Sequence, residues 1–265
     1  MPVFGNSIGA VGVWGPVTAT LDWCEANYQF SKYIAEMTNT MSNLFSIWLA
    51  LHGAISARKE DLPIRLTIGS LLADELPMIF VASYGLFCLF DTAHSGFGLS
   101  SLRTWLLAAA LVVFNVLFTW SYIVFRDPVY HQVVFGLLVF TTAARTYYLL
   151  NGAKGTAKIP APVRSVIARM FGLGFVLFGV GFIIWNLDNV YCDILTRGKN
   201  AVGWPLAFLL EGHAWWHIFT ARNWDTIDDE WYHLTLCIKD DYRNYKLGSS
   251  LGVPYIQKVS GKKTE

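Results

Sequence analysis

Long apolar runs separated by short polar loops leave this chain few ways to fold. They fall at about 38–57, 76–90, 104–125, 129–150, 166–187 and 201–221. An α-helix rises about 1.5 Å per residue, so some 20 apolar residues cross the roughly 30 Å hydrocarbon core of a bilayer. Lipid offers backbone N–H and C=O groups no partner, so such runs must be helices that satisfy their own hydrogen bonds. Of the 265 residues, 54% are hydrophobic and 15% charged, where a soluble domain carries about 25% charge. The fold class expected is therefore an all-α polytopic membrane protein. A net charge of +1 gives no reason to expect nucleic-acid binding. No secretory signal peptide is expected either. The first 35 residues lack a basic start and a continuous apolar core, and Lys32 is their only basic residue.

One apolar piece is too short. Leu66–Ala73 follows the charged loop RKEDLPIR and as a helix would cover only about 12 Å. Fusing it with the next run would sink Asp74 and Glu75 into the membrane, at about 2.5–3.5 kcal/mol each near the centre. Basic residues arbitrate between topologies. With seven passes and the N-terminus outside, 15 Lys and Arg lie inside and 4 outside, Arg145 being within a span. Six passes from the same start leave 6 inside and 13 outside; reversing them gives 13 to 6 but puts RKEDLPIR outside. The positive-inside rule favours seven. The chain reads as a seven-helix bundle with six full spans and a stub, most of one helix being absent. It has a transmembrane domain over 1–221, with a polar N-terminal segment 1–37, and a polar cytosolic tail over 222–265.

Few residues in such a chain carry chemistry. In EGHAWWHIF (211–219), His213 and His217 are four apart and share a helix face, as two ligands of one metal would. Packed histidines among interfacial tryptophans are the plainer alternative. In DELPM (74–78), Asp74 and Glu75 open a helix, where acidic residues suit the helix dipole; a carboxylate there also suits a water-orienting or general-base role. Asp22, Glu25, Asn27 and Glu36 offer oxygens of the kind calcium takes, or a solvated face. In FIIWNLDNVYCD (182–193), Asn186, Asp188 and Asn189 end a span and cap it or line a polar cavity. Cys24 and Cys192 share the outer side in the seven-pass reading, as a disulfide or as two separate thiols. His52 reads as a packed histidine. His94, His131 and His233 have no metal-ligand spacing to a partner.

Taken together, WGPVTATLDWCEANY (14–28), YIAEMTNTMSN (33–43), DELPM (74–78), DPVYHQ (127–132), FIIWNLDNVYC (182–192) and HAWWHI (213–218) resemble the alkaline ceramidase family. These are seven-pass amide hydrolases of the endoplasmic reticulum and Golgi, related to the adiponectin receptors. The resemblance implies zinc-dependent hydrolysis of the amide of ceramide or phytoceramide to a sphingoid base and a fatty acid. It implies zinc on His213 and His217, with Asp74 holding the zinc-bound water. It also implies calcium on Asp22, Trp23 (by its backbone carbonyl), Glu25, Asn27 and Glu36, and a Cys24–Cys192 disulfide. The departure is in the second helix. The family carries a serine and a third zinc-binding histidine shortly before DELPM, whereas here LTIGSLLA runs straight into it, with no histidine between His52 and His94. Ser70 lies in the stub but its surroundings do not match the family's serine motif. The expectation is a ceramidase scaffold with impaired activity. The alternative is a non-catalytic lipid-binding or receptor-like protein on the same scaffold.

Overall fold

A computed structural model describes residues 11–16, 23–62, 75–93, 96, 101–250 and 253–259, with no side-chain description for Pro16, Glu75, Pro77 and 223–230. The chain is an all-α polytopic membrane protein. Its helices are α1 (Met37–Lys59), α2 (Glu75–Phe90), α3 (Leu102–Phe125), α4 (Pro128–Asn151), α5 (Ala153–Lys158), α6 (Ala161–Val190), α7 (Cys192–Val202) and α8 (Gly212–Lys239). Among the described residues, α3, α4 and α6 are long and apolar enough to cross a membrane, and Met78–Phe90 is a shorter apolar helix. The stub Leu66–Ala73 and Asp74 lie outside the described residues.

Local chemistry sets these limits. Ser101 caps α3 by accepting from the Thr104 N–H at 3.1 Å. Asp127 caps α4 through the Val129 N–H at 2.8 Å, with Pro128 at the first helical position, where its missing N–H costs nothing. The expected span 201–221 is corrected. It is not one helix: α7 ends at Gly203, whose φ of +68° suits glycine, Pro205 follows, residues Leu206–Leu210 form a 3-10 turn, and α8 starts afresh at Gly212. The helix α8 then runs unbroken through residue 221 to Lys239. Beyond it an antiparallel hairpin, Tyr245–Ser250 with Val253–Lys258, takes up part of the tail.

The chain divides into two compact units, residues 1–48 with 175–223 and residues 49–174 with 224–265. The second has a core of Leu89, Leu149, Leu150, Ile159, Ile167, Trp231, Leu234, Cys237 and Ile238. Trp231 packs where Gly85 has no side chain; a Cβ there would overlap its ring. The hairpin buries Tyr245 and Ile256 against Leu62 and Leu236. Basic side chains close helix ends in this unit. Arg145 Nε donates to Leu89 O at 3.1 Å, Lys158 Nζ to Ile238 O at 2.6 Å and Arg164 to Leu150 O at 2.9 Å. The three carbonyls lie near the C-termini of α2, α8 and α4, where carbonyls lack helical partners and the dipole favours cations. His131 is buried beside Phe118, Tyr122 and Phe135.

Candidate active site

The histidine pair belongs to the first unit, and its position follows from how α8 begins. Asp188, buried on α6, accepts the Gly212 N–H at 2.8 Å. A side chain at 212 would lie 2.7 Å from the Asp188 Cβ, so only glycine allows this approach. The helix is thereby fixed one residue before His213. His213 and His217 then share a face one turn apart, with ring centroids 4.7 Å apart and edge to face. Trp23 lies against His213 at 3.9 Å between ring centroids and against Trp185 at 5.1 Å. Trp185, Trp216, Phe178 and Phe182 continue this aromatic wall.

The two imidazoles are held differently. His213 Nδ1 is buried with no hydrogen-bond partner among the described residues. His217 Nδ1 lies 3.1 Å from Ser42 Oγ on α1. Two imidazoles on one face, one with a buried unpartnered nitrogen and the other gripped by a polar neighbour, fit two of the three protein ligands a catalytic zinc takes. Among the described residues no group of three or more His, Cys, Asp or Glu side chains is placed to hold a metal ion. Asp74, expected beside the pair, lies outside the described residues.

The N-terminal loop is fastened to α7 twice. Cys24 is bonded to Cys192, with a Cα–Cα distance of 5.3 Å. Seven residues beyond Cys192, Lys199 donates to Cys24 O at 3.0 Å and to Glu211 Oε2 at 2.7 Å, both side chains being buried. Glu25 accepts the Thr38 and Asn39 N–H groups at 2.6 and 2.9 Å, and Glu36 accepts from Asn39 Nδ2 at 2.7 Å. Glu25 and Glu36 therefore meet at the N-terminus of α1, where the dipole favours anions. A carboxylate has about four lone-pair sites, so two N–H bonds leave Glu25 able to bind a cation as well. Asn27 is buried nearby in the chain, and Asp22 lies outside the described residues.

Sequence reasoning missed Ser42, Lys199 and Glu211. Lys199 looks like a solvated loop charge until the fold buries it. Ser42 sits within YIAEMTNTMSN but has no spacing that marks it. For Asp188 the sequence left capping and cavity-lining open, and the structure makes it a cap.

The ceramidase family model matches residues 15–73 and 66–256. Alkaline ceramidase 3 of Mus musculus is 34% identical over 233 aligned positions, covering 79% of this chain and 81% of the relative. Alkaline ceramidase YPC1 of Saccharomyces cerevisiae is 31% identical over 257 positions, covering 80% and 75%. Alkaline ceramidase of Arabidopsis thaliana is 29% identical over 237 positions, covering 81% and 83%. In the mouse comparison, 79% of 265 residues is about 209, so about 24 of the 233 aligned positions hold no residue of this chain.

Proposed function

Since the chain belongs to the alkaline ceramidase family, we propose that it is a multi-pass membrane hydrolase built to cleave the amide bond of ceramide-type lipids, and that the chain as it stands does so poorly. The observation that carries the reading is the His213–His217 pair beside Ser42 and under Trp23. When bound there, zinc would lower the pKa of a water molecule and polarise the scissile carbonyl. His213 and His217 would hold it, and Asp74 would orient the water. Trp23, Trp185 and Trp216 supply an apolar wall suited to acyl chains. Glu25, Glu36 and Asn27, with Asp22 and the Trp23 carbonyl, would hold calcium. The membrane would be that of the endoplasmic reticulum or Golgi.

Ligand count is what limits the chain. A catalytic zinc needs three protein ligands, and among the described residues two histidines are placed together. The family match divides within 66–73, the stretch where the span is too short, and about 24 aligned positions of the mouse relative face no residue here. That is close to the length of one membrane-crossing helix. The same gap favours a second reading, a lipid-binding scaffold without catalysis.

The test is the purified chain in detergent, assayed for bound zinc and for release of sphingoid base from ceramide. Weak but measurable zinc binding, well short of full occupancy, and little turnover are expected. Inserting a helix that bears a serine and a histidine between Gly69 and Asp74 should restore both. Full zinc occupancy and brisk turnover by the unmodified chain would overturn the impairment. An inserted chain that binds zinc and ceramide without turnover would favour the scaffold reading.

A further inference from the structure

We propose that Ser42 is a positioning residue that fixes the tautomer of His217, placing the proton on Nδ1 and leaving Nε2 as the nitrogen offered to a metal. Ser42 is buried, and its hydroxyl has a single hydrogen. That hydroxyl donates to the backbone carbonyl of Asn39 at 2.7 Å, and a carbonyl can only accept. The hydroxyl oxygen also lies 3.1 Å from His217 Nδ1. With its proton committed to Asn39, Ser42 can only accept from the imidazole, so Nδ1 must carry the hydrogen. A neutral imidazole with a proton on Nδ1 has its lone pair on Nε2.

The Asn39 carbonyl is itself well held. Its own residue's N–H donates to Glu25 at 2.9 Å, and its side-chain amide donates to Glu36 at 2.7 Å. Ser42 therefore rests on a first helical turn fixed by two carboxylates, and the constraint reaches His217 from a rigid base. Ligand histidines usually donate their second ring N–H to an outer partner, which sets the tautomer and raises basicity. Such partners are commonly carboxylates or carbonyls. Here a hydroxyl takes that place because a carbonyl has already claimed its proton.

The tautomer half of this inference stands on the hydrogen bonds alone; the metal half rests on His217 being a zinc ligand. The experiment separates them. The full chain is labelled with ¹⁵N-histidine and purified without metal, and the His217 signals are identified by their loss in His217→Gln. At alkaline pH the imidazole is neutral, and the ring nitrogen shifts report which one is protonated. Wild type should show the proton on Nδ1, Ser42→Ala should lose that preference, and Ser42→Thr, which keeps the hydroxyl, should restore it. An intact Cys24–Cys192 bond in non-reducing mass spectrometry checks that each variant folds. Zinc affinity is then measured by competition with a chromophoric chelator. Ser42→Ala should bind zinc roughly 10–100-fold more weakly, with Thr recovering most of the loss. Wild-type His217 protonated on Nε2, or an unchanged tautomer in Ser42→Ala, would overturn the proposal. A tautomer that changes as expected with zinc binding indifferent to Ser42 and to His217→Gln would overturn the metal half and the zinc reading of His217, while Ser42's hold on the ring would stand.

Discussion

Two buried ion pairs, one in each compact unit, use the same chemistry to different ends. Lys199–Glu211 closes at 2.7 Å and Lys239–Asp91 at 2.6 Å, and every side chain involved is less than a tenth exposed. Around Lys239, the second Asp91 oxygen accepts from Thr104 Oγ1 at 2.7 Å, and the neighbouring basic groups Arg145 and Lys158 end on carbonyls near helix C-termini. This pair belongs to the fastening of helix ends. Around Lys199, the ammonium reaches a loop carbonyl, that of Cys24, and its partner Glu211 immediately precedes the helix that carries His213. This pair organises a site. A buried ion pair says little by itself about stability; what its remaining hydrogen bonds reach tells its role.

The largest effects should come from removing the acid of either pair. Glu211→Ala and Asp91→Ala each strand a buried ammonium, at a cost of about 3–5 kcal/mol. Both should lower the thermal unfolding midpoint in detergent by comparable amounts. They should part at the metal. Below the unfolding range, Glu211→Ala should weaken zinc binding because it frees the loop bearing Trp23, while Asp91→Ala should leave it unchanged. Equal losses of zinc in both variants would erase the distinction.

Smaller effects should appear as coupling. Replacing Cys24 and Cys192 by serine should cost about 2–5 kcal/mol. Lys199→Met removes the second attachment of the same loop, so the two changes together should cost less than their sum, by about 0.5–3 kcal/mol. Lys239→Met, in the other unit, should add independently to the loss of the disulfide. A double-mutant cycle in denaturant measures both quantities. Additivity for Lys199 would mean that its bond to Cys24 O and the disulfide hold separate structures.

Much of this molecule is legible in its sequence, and the exceptions share a cause. The limits of α3 and α4 came within two residues of the apolar runs, because Ser101, Asp127 and Pro128 write the helix starts locally. The break over 203–211 was not legible. Apolar residues lie on both sides of Trp204-Pro205, and the restart at Gly212 depends on Asp188, 24 positions earlier. The His213–His217 face could be read from spacing alone. Ser42 could not, since its meaning arises 175 positions away at His217. Lys199 misled for the same reason: a cation between apolar runs reads as solvated, and burial is decided by Glu211 and the Cys24 carbonyl. Local patterns encode helices, while the polar contacts that build a site are tertiary.

The smallest effect should come from the exposed pair that the buried ones are measured against. Asp241 and Arg243 meet beyond the end of α8, with Arg243 donating from Nε and Nη2 to the carboxylate. The side-chain hydrogen bonds from Arg243, more than any other influence, hold the Asp241 carboxyl down to about 2 from its ordinary 3.8. A carboxyl depressed in the folded state adds stability above its unfolded pKa and loses it as pH falls through the folded one, here between about 4 and about 2. Both groups are open to solvent, so screening should leave almost nothing of this in the unfolding midpoint. Arg243→Ala should therefore shift the Asp241 titration, followed by carboxyl ¹³C NMR, upward toward 3.8 while the midpoint stays put. The return should be incomplete, because the Arg243 backbone N–H, 3.0 Å from Asp241 Oδ1, survives the substitution. A midpoint that fell as far as in Asp91→Ala would show that burial is not what separates these pairs.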